Sequence, residues 1–378
     1  MRLLHRASPW RALFAQGIPP DHASWPPLLA PLRDAFMRLG PSQTLAQAKA
    51  WQPVLVEALL RLDVPASRIS QLLSDHNSHL YRQAIELSLG DMRGEGWGPP
   101  PVNYCVLILG SGARHESLLG PDQDNAMIVE DYPDARHSEI DGYFQSLGER
   151  FTERLDKAGI PLCNGHVMAR WPMWRKRLSE WYEQLEIWTA ERRTKRVQQA
   201  NTLFDFQVAH GDALLADALR AKVSDLVPCA HLFLDEMASL LDETPVALDR
   251  LGRVAGDGEG APHESAIELK RQGLMPLVSG VRLLALARGC RGVDTRTRLM
   301  ELVATGGLNA SRAESLQGAL DRLQAVLLEH QMASLAMGRQ ADGWVDMREM
   351  NEASQLLLRH DLKTIRRLVR LAQERAGS

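Results

Sequence analysis

The chain has 378 residues, with 44 Lys and Arg against 47 Asp and Glu, a formal net charge of -3, and 45% hydrophobic and 24% charged side chains. That balance excludes a wholly disordered, collagen-like or disulfide-scaffold protein, and a pI near 6.5 excludes a global positive field for collecting nucleic acid, which would need a local basic patch instead. At about 150 residues per domain the length predicts two to three domains.

The chain is Arg-rich before Asp21, but Arg2, Arg6, Pro9 and Arg11 break any apolar stretch that would serve as a signal-peptide core. No apolar run long enough to span a membrane occurs elsewhere. Cys105, Cys163, Cys229 and Cys290 lie far apart with no CxxC pair, which suits a reduced compartment. The expectation is a cytoplasmic protein with no membrane partner. From about residue 26 to 89 apolar residues recur at helical spacing, as at Val54, Leu55, Ala58, Leu59 and Leu62, then Ile69, Leu72, Leu73, Leu80 and Ile85. An N-terminal helical region over 1–98 is therefore expected, ended by Gly94, Gly96, Gly98 and the prolines at 99–101.

Tyr104 to Leu109 is a short, nearly continuous apolar run that suits a buried strand. A glycine turn follows, then a second strand candidate over 126–129. Residues 141–158 read as a helix with Phe144, Leu147, Phe151 and Leu155 on one face, and a further helix carries Trp174, Leu178, Trp181, Leu185 and Trp188. This regular aromatic stripe reads as core packing rather than a stacking platform. The basic runs Arg175-Lys-Arg177 and Arg192-Arg-Thr-Lys-Arg196 read as solvated helix faces. Gly252 to Gly260 reads as an exposed loop. Helical patterns over 213–242, 265–289, 293–304, 309–337 and 346–374 predict an antiparallel bundle.

The chemistry sits at 109–129. Gly110-Ser111-Gly112 ends the first strand, where missing side chains let backbone N–H groups approach a phosphate and the Ser hydroxyl can add a hydrogen bond. After a gap of ten residues come Asp122 and Asp124, and strand alternation puts both carboxylates on one side. Two hard oxygen donors side by side suit Mg²⁺, which takes its remaining ligands from water and substrate phosphates. Each half is commonplace alone; the ordered combination of strand, Gly-Ser, gap, Asp-x-Asp and strand points to function. His166, His210, His330 and His360 lack metal-ligand spacing and read as structural.

These residues resemble the nucleotidyltransferase superfamily, and within it the bacterial nucleotidyltransferases of domain of unknown function 294, relatives of the N-terminal domain of PII-protein uridylyltransferase. The signatures stand here as Gly110-Ser111-Gly112-Ala113-Arg114-His115-Glu116 and Asp122-Gln123-Asp124-Asn125-Ala126, with later blocks at 161–169 and 204–212. Glu268-Leu-Lys-Arg-Gln-Gly-Leu274 and His330-Gln331 resemble the family's C-terminal substrate-binding domain.

The resemblance implies an α+β, helix-rich fold: a small mixed-sheet nucleotidyltransferase domain over 99–212, flanked by the N-terminal helices and by a C-terminal antiparallel bundle over 213–378. It implies transfer of a nucleoside monophosphate from an NTP substrate to an acceptor hydroxyl, possible on a protein as in uridylyl or adenylyl transfer. Gly110 and Ser111 would grip the triphosphate, and Asp122 and Asp124 would be catalytic and hold Mg²⁺ or Mn²⁺. Arg114 would either stabilise phosphate charge or pair with Glu116. Active members carry a third acidic residue on a neighbouring strand; residues 162–168 contain none, and Asp205 is the substitute, on a stretch that reads as strand or as helix end. The rival reading is a catalytically weak or inactive nucleotide-binding regulatory protein.

Overall fold

A computed structural model describes residues 14, 16–18, 25–190, 194–256 and 258–376. The chain divides into two compact units, one built from residues 1–183 and 205–219, the other from 184–204 and 220–378. The course of the chain thus leaves the first unit, enters the second, and returns to the first before leaving it again.

The first unit opens with helices α1 (Ala30–Arg38), α2 (Leu45–Lys49), α3 (Trp51–Leu60) and α4 (Ala66–Gly94), as the apolar spacing predicts. Helix α4 stops where the glycines begin. Gly96 takes φ +90°, Trp97 N–H bonds the Met92 carbonyl at 3.0 Å and Gly96 N–H bonds Arg93 at 3.2 Å, the paired closure of a Schellman end. Then come β1 (Tyr104–Leu109), the single-turn helix α5 (Gly110–Ala113), β2 (Asn125–Val129), α6 (His137–Lys157), β3 (Arg175–Arg177) and the start of α7 (Leu178–Ala190); the rest of α7 and α8 (Thr194–Leu203) belong to the second unit, and the chain then returns for β4 (Phe206–Gly211) and the first half of α9 (Ala213–Leu226).

The sheet order is β3-β2-β1-β4, with β1 antiparallel to β2 and β4, and β3 parallel to β2. All six residues of β1 are buried, which explains its continuous apolar run. Tyr104, Val106 and Ile108 of β1 pack with Leu80, Ala84 and Ile85 of α4 and with Phe144, Leu147 and Phe151 of α6. One face of the sheet is therefore covered by the two long helices, and the strand ends that carry polar residues are held in a fixed frame.

The aromatic stripe is core, as expected: Trp174, Trp181 and Trp188 are buried, and Trp181 Nε1 donates to the Met127 carbonyl at 3.0 Å. The basic run 175–177 corrects the sequence reading. It is strand β3 rather than a solvated helix face, because β2 offers it a parallel partner that no local pattern reveals. Arg175 is buried against Asp141 and the carbonyls of Ala169 and Arg170, while Arg177 pairs with Asp134 and Glu180. The side chains of the second run, 192–196, lie outside the described residues.

In the second unit, α10 (His231–Ser239), α11 (Met275–Leu286), α12 (Thr295–Ala304), α13 (Ala310–Ala336) and α14 (Glu352–Ala376) form the helical assembly. Helix α11 is buried on nearly every side and packs against α12 and α14. One stretch expected as the start of a helix is a strand here: β5 (Ala266–Glu268) pairs antiparallel with β6 (Trp344–Asp346), which lies at the junction of two expected helices. Three-residue strands carry too little periodicity to be read locally, and their pairing spans the whole unit. A π turn over Lys270–Leu274 follows β5 and leads into α11. The segment 253–260, apart from residue 257, is largely exposed loop, as expected. Among the described residues no helix is long and apolar enough to cross a membrane.

One buried group gives the first unit a pH dependence. His76 of α4 is 1% exposed and stacks on Phe14, ring centroids 3.9 Å apart. Burial, then the nearby Lys49 and His79, push its pKa down from 6.5 to about 3. Between those values the unfolded chain takes up a proton that the folded chain does not, so stability falls as pH drops below 6.5. The loss is expected to be about 1.4 kcal/mol per pH unit, or about 2 kcal/mol by pH 5. Urea unfolding at pH 7.5 and pH 5 should show a slope that is flatter by that amount in a His76→Gln variant.

Candidate active site

The site is assembled where β1 ends. Leu109 N–H bonds the Asp124 carbonyl at 2.9 Å on one side, and Gly110 N–H bonds the Asp205 carbonyl at 3.0 Å on the other. Both aspartates are thus set by the sheet, one just before β2 and one just before β4. The chain turns through Gly110 at φ +61° into α5, whose opening N–H groups have no partner in the preceding turn. Gly110 is required twice over: its φ is left-handed, and a Cβ there would lie 3.2 Å from Asp124 Oδ2. Gly110→Ala is expected to cost about 1–2 kcal/mol in urea unfolding and to displace the Asp124 carboxylate in a crystal structure.

The alternation expected of the Asp-Gln-Asp stretch is present. Gln123 points into the core, fully buried, and its Nε2 donates to the carbonyls of Thr152 and Ile160 at 2.8 Å each. Asp122 is exposed and Asp124 half-buried on the opposite side. The neighbouring loop is pinned alongside: Gln123 N–H bonds Pro161 O at 2.9 Å, Asn125 N–H bonds Val167 O at 3.0 Å, and Asn125 Oδ1 accepts from Ala169 N–H at 2.8 Å. This clamp delivers Cys163. Donor atoms of Asp122, Asp124 and Cys163 all lie within 4.8 Å of one another. Burial, followed by Asp124, pushes the Cys163 thiol up to about 11, so it is protonated at neutral pH.

Asp205 stands apart from that group. Its fully buried carboxylate accepts from Arg114 Nη1 at 2.6 Å, while Arg114 Nε donates to Glu116 Oε2 at 2.7 Å. Burial works against the guanidinium charge, but Glu116 and Asp205 outweigh it and raise the Arg114 pKa. Of the residues singled out in the sequence, Gly110, Ser111, Asp122 and Asp124 converge at the strand end, and Arg114, Glu116 and Asp205 form an ionic cluster of their own. His210 Nδ1 lies 3.0 Å from the Tyr104 hydroxyl, His330 Nδ1 lies 2.9 Å from the Val326 carbonyl, and His166 packs edge-on against Trp171.

Cys163 was not singled out by sequence reasoning, although it lies in the 161–169 block that carries part of the resemblance. Nothing in its spacing relates it to Asp122, since the clamp that brings it there is made by backbone groups. Gln123 and Asn125 likewise brace this segment through their hydrogen bonds, and their signal is only their place between and beside the aspartates.

A mixed sheet with a Gly-Ser turn closing one strand and paired aspartates opening the next is the arrangement that the motif resemblance implies for a nucleotidyltransferase. Residues 51–195 match the family model "Putative nucleotidyltransferase DUF294", and residues 231–376 match "Putative nucleotidyltransferase substrate binding domain". The chain belongs to this nucleotidyltransferase family. No curated protein matches it.

Proposed function

We propose that this chain moves a nucleoside monophosphate from an NTP to an acceptor hydroxyl, with Mg²⁺ or Mn²⁺ held by Asp122 and Asp124. One observation carries the reading: both carboxylates project to the same side, beside a Gly-Ser turn whose Gly110 takes a left-handed φ of +61° close to the Asp124 carboxylate. The donor set of two carboxylates and a thiol fits a divalent cation. When bound, such a cation lowers the pKa of the acceptor hydroxyl and neutralises the departing pyrophosphate. The Ser111 hydroxyl and the backbone N–H groups of the turn after Gly110, whose own N–H is held by the Asp205 carbonyl, are the groups suited to the triphosphate oxygens. Arg114, fixed between Glu116 and Asp205, braces this turn from below.

In this reading residues 99–212 carry the transfer site and 213–378 supply the substrate-binding bundle, with an acceptor hydroxyl on a protein as in uridylyl or adenylyl transfer. A second reading, a nucleotide-binding regulatory protein with little or no catalysis, draws support from the engagement of Asp205 by Arg114, which occupies the substitute third carboxylate. The test is incubation with each α-³²P-labelled NTP, Mg²⁺ or Mn²⁺ and a cell extract. Label transferred to a macromolecule supports the transferase and identifies donor and acceptor. Metal-dependent nucleotide binding without transfer supports the regulatory protein.

A further inference from the structure

We propose that Cys163 is a third donor to the cation held by Asp122 and Asp124, making this an O₂S site that prefers Mn²⁺, Co²⁺ or Zn²⁺ over Mg²⁺. The inference rests on the reading of those aspartates as metal-holding residues and goes beyond it in the chemistry of the ion selected.

Metal–oxygen and metal–sulfur bonds of about 2.1 and 2.3 Å place adjacent donors roughly 3–4 Å apart. The three donor atoms already lie within 4.8 Å of one another, so small side-chain rotations bring them onto one centre. The sulfur is not there by chance of a mobile loop. Pro161 and Val167, on either side of Cys163, are hydrogen-bonded to Gln123 and Asn125, the residues that alternate with the aspartates. His166 N–H also closes on the Cys163 carbonyl at 3.0 Å. Cys163 itself is buried, so its sulfur faces the carboxylates rather than bulk water. Mg²⁺ demands hard oxygen donors in a nearly ideal octahedron, whereas a thiolate favours softer divalent ions. On binding, the S–H bond is replaced by a sulfur–metal bond and the proton passes to solvent.

The experiment is a Co²⁺ titration of the full chain in a Cys229→Ser/Cys290→Ser background, which removes the cysteines that are not buried. A sulfur-to-cobalt charge-transfer band in the near ultraviolet is expected, and Cys163→Ser should abolish it while weakening Mn²⁺ binding by about tenfold or more. Cys163→Asp should restore affinity but move the preference toward Mg²⁺. X-ray absorption of the cobalt-loaded protein without a change at Cys163 should show a sulfur neighbour, a readout independent of whether the Cys163 variants fold. Co²⁺ binding that Asp122→Asn/Asp124→Asn abolishes, but with no sulfur signature, would overturn the role of Cys163 and leave the proposed function standing. Absence of any aspartate-dependent binding of Co²⁺, Mn²⁺ or Mg²⁺ would overturn both.

Discussion

Asp122→Ala/Asp124→Ala is expected to lower nucleotidyl transfer by at least about 10³-fold, equivalent to about 4 kcal/mol of barrier. In the proposed reading the two carboxylates are the hard donors of the site, and no other acidic group joins them within the cluster among the described residues. The same replacement should leave thermal stability in metal-free buffer unchanged or slightly higher, because it removes two like charges held close together on the protein's exposed side. Mn²⁺ should raise the melting temperature of the unsubstituted protein and not that of the double variant, since only a folded state with the donors binds the ion. Loss of transfer together with loss of fold would point instead to a structural role. The paired melting curves make that distinction.

The second large effect is on stability. Arg114→Met should cost about 3–5 kcal/mol, because it withdraws a guanidinium that bridges Asp205, fully buried, and Glu116, 7% exposed at its side chain. Methionine fills much of the same volume, so the loss is electrostatic rather than a cavity. Arg114→Lys should fall between, since a single ammonium cannot reach both carboxylates with the arginine fork. Urea midpoints of the three proteins check the order. If Arg114 acted chiefly on the triphosphate, transfer would collapse in Arg114→Met with the midpoint unmoved.

Much of this frame is legible in the residues. The continuous run of β1 announces a strand buried on both faces, and the Gly-Ser and Asp-x-Asp segments meet at its end, as their order predicts. The sequence is also sufficient for α4 and α6, whose apolar faces repeat over many turns. What it hides is everything decided by pairing at a distance. Arg175-Lys-Arg177 looks like a charged helix face until β2 recruits it, and β5 and β6 are too short to signal before they meet. Arg114 has Glu116 as a partner in the motif itself and a phosphate as the alternative, but Asp205, 91 residues away, is brought to it only by the β1–β4 pairing. Cys163 is invisible for the same reason: backbone hydrogen bonds, which any residue can make, carry it to the aspartates.

The interrupted course of the chain through the first unit has a consequence for work with fragments. A piece ending at residue 195, where the matched segment stops, would lack Asp205 and the whole of β4. Strand β1 would then become the sheet's outer edge, presenting the unpaired backbone of Tyr-Cys-Val-Leu-Ile-Leu to any neighbouring molecule. Such a piece would be expected to self-associate through that edge and to leave Arg114 without its buried carboxylate. Solubility of this half is thus encoded beyond its apparent end at residue 195, in a strand over 206–211 that returns to it only after the chain has travelled through the second unit.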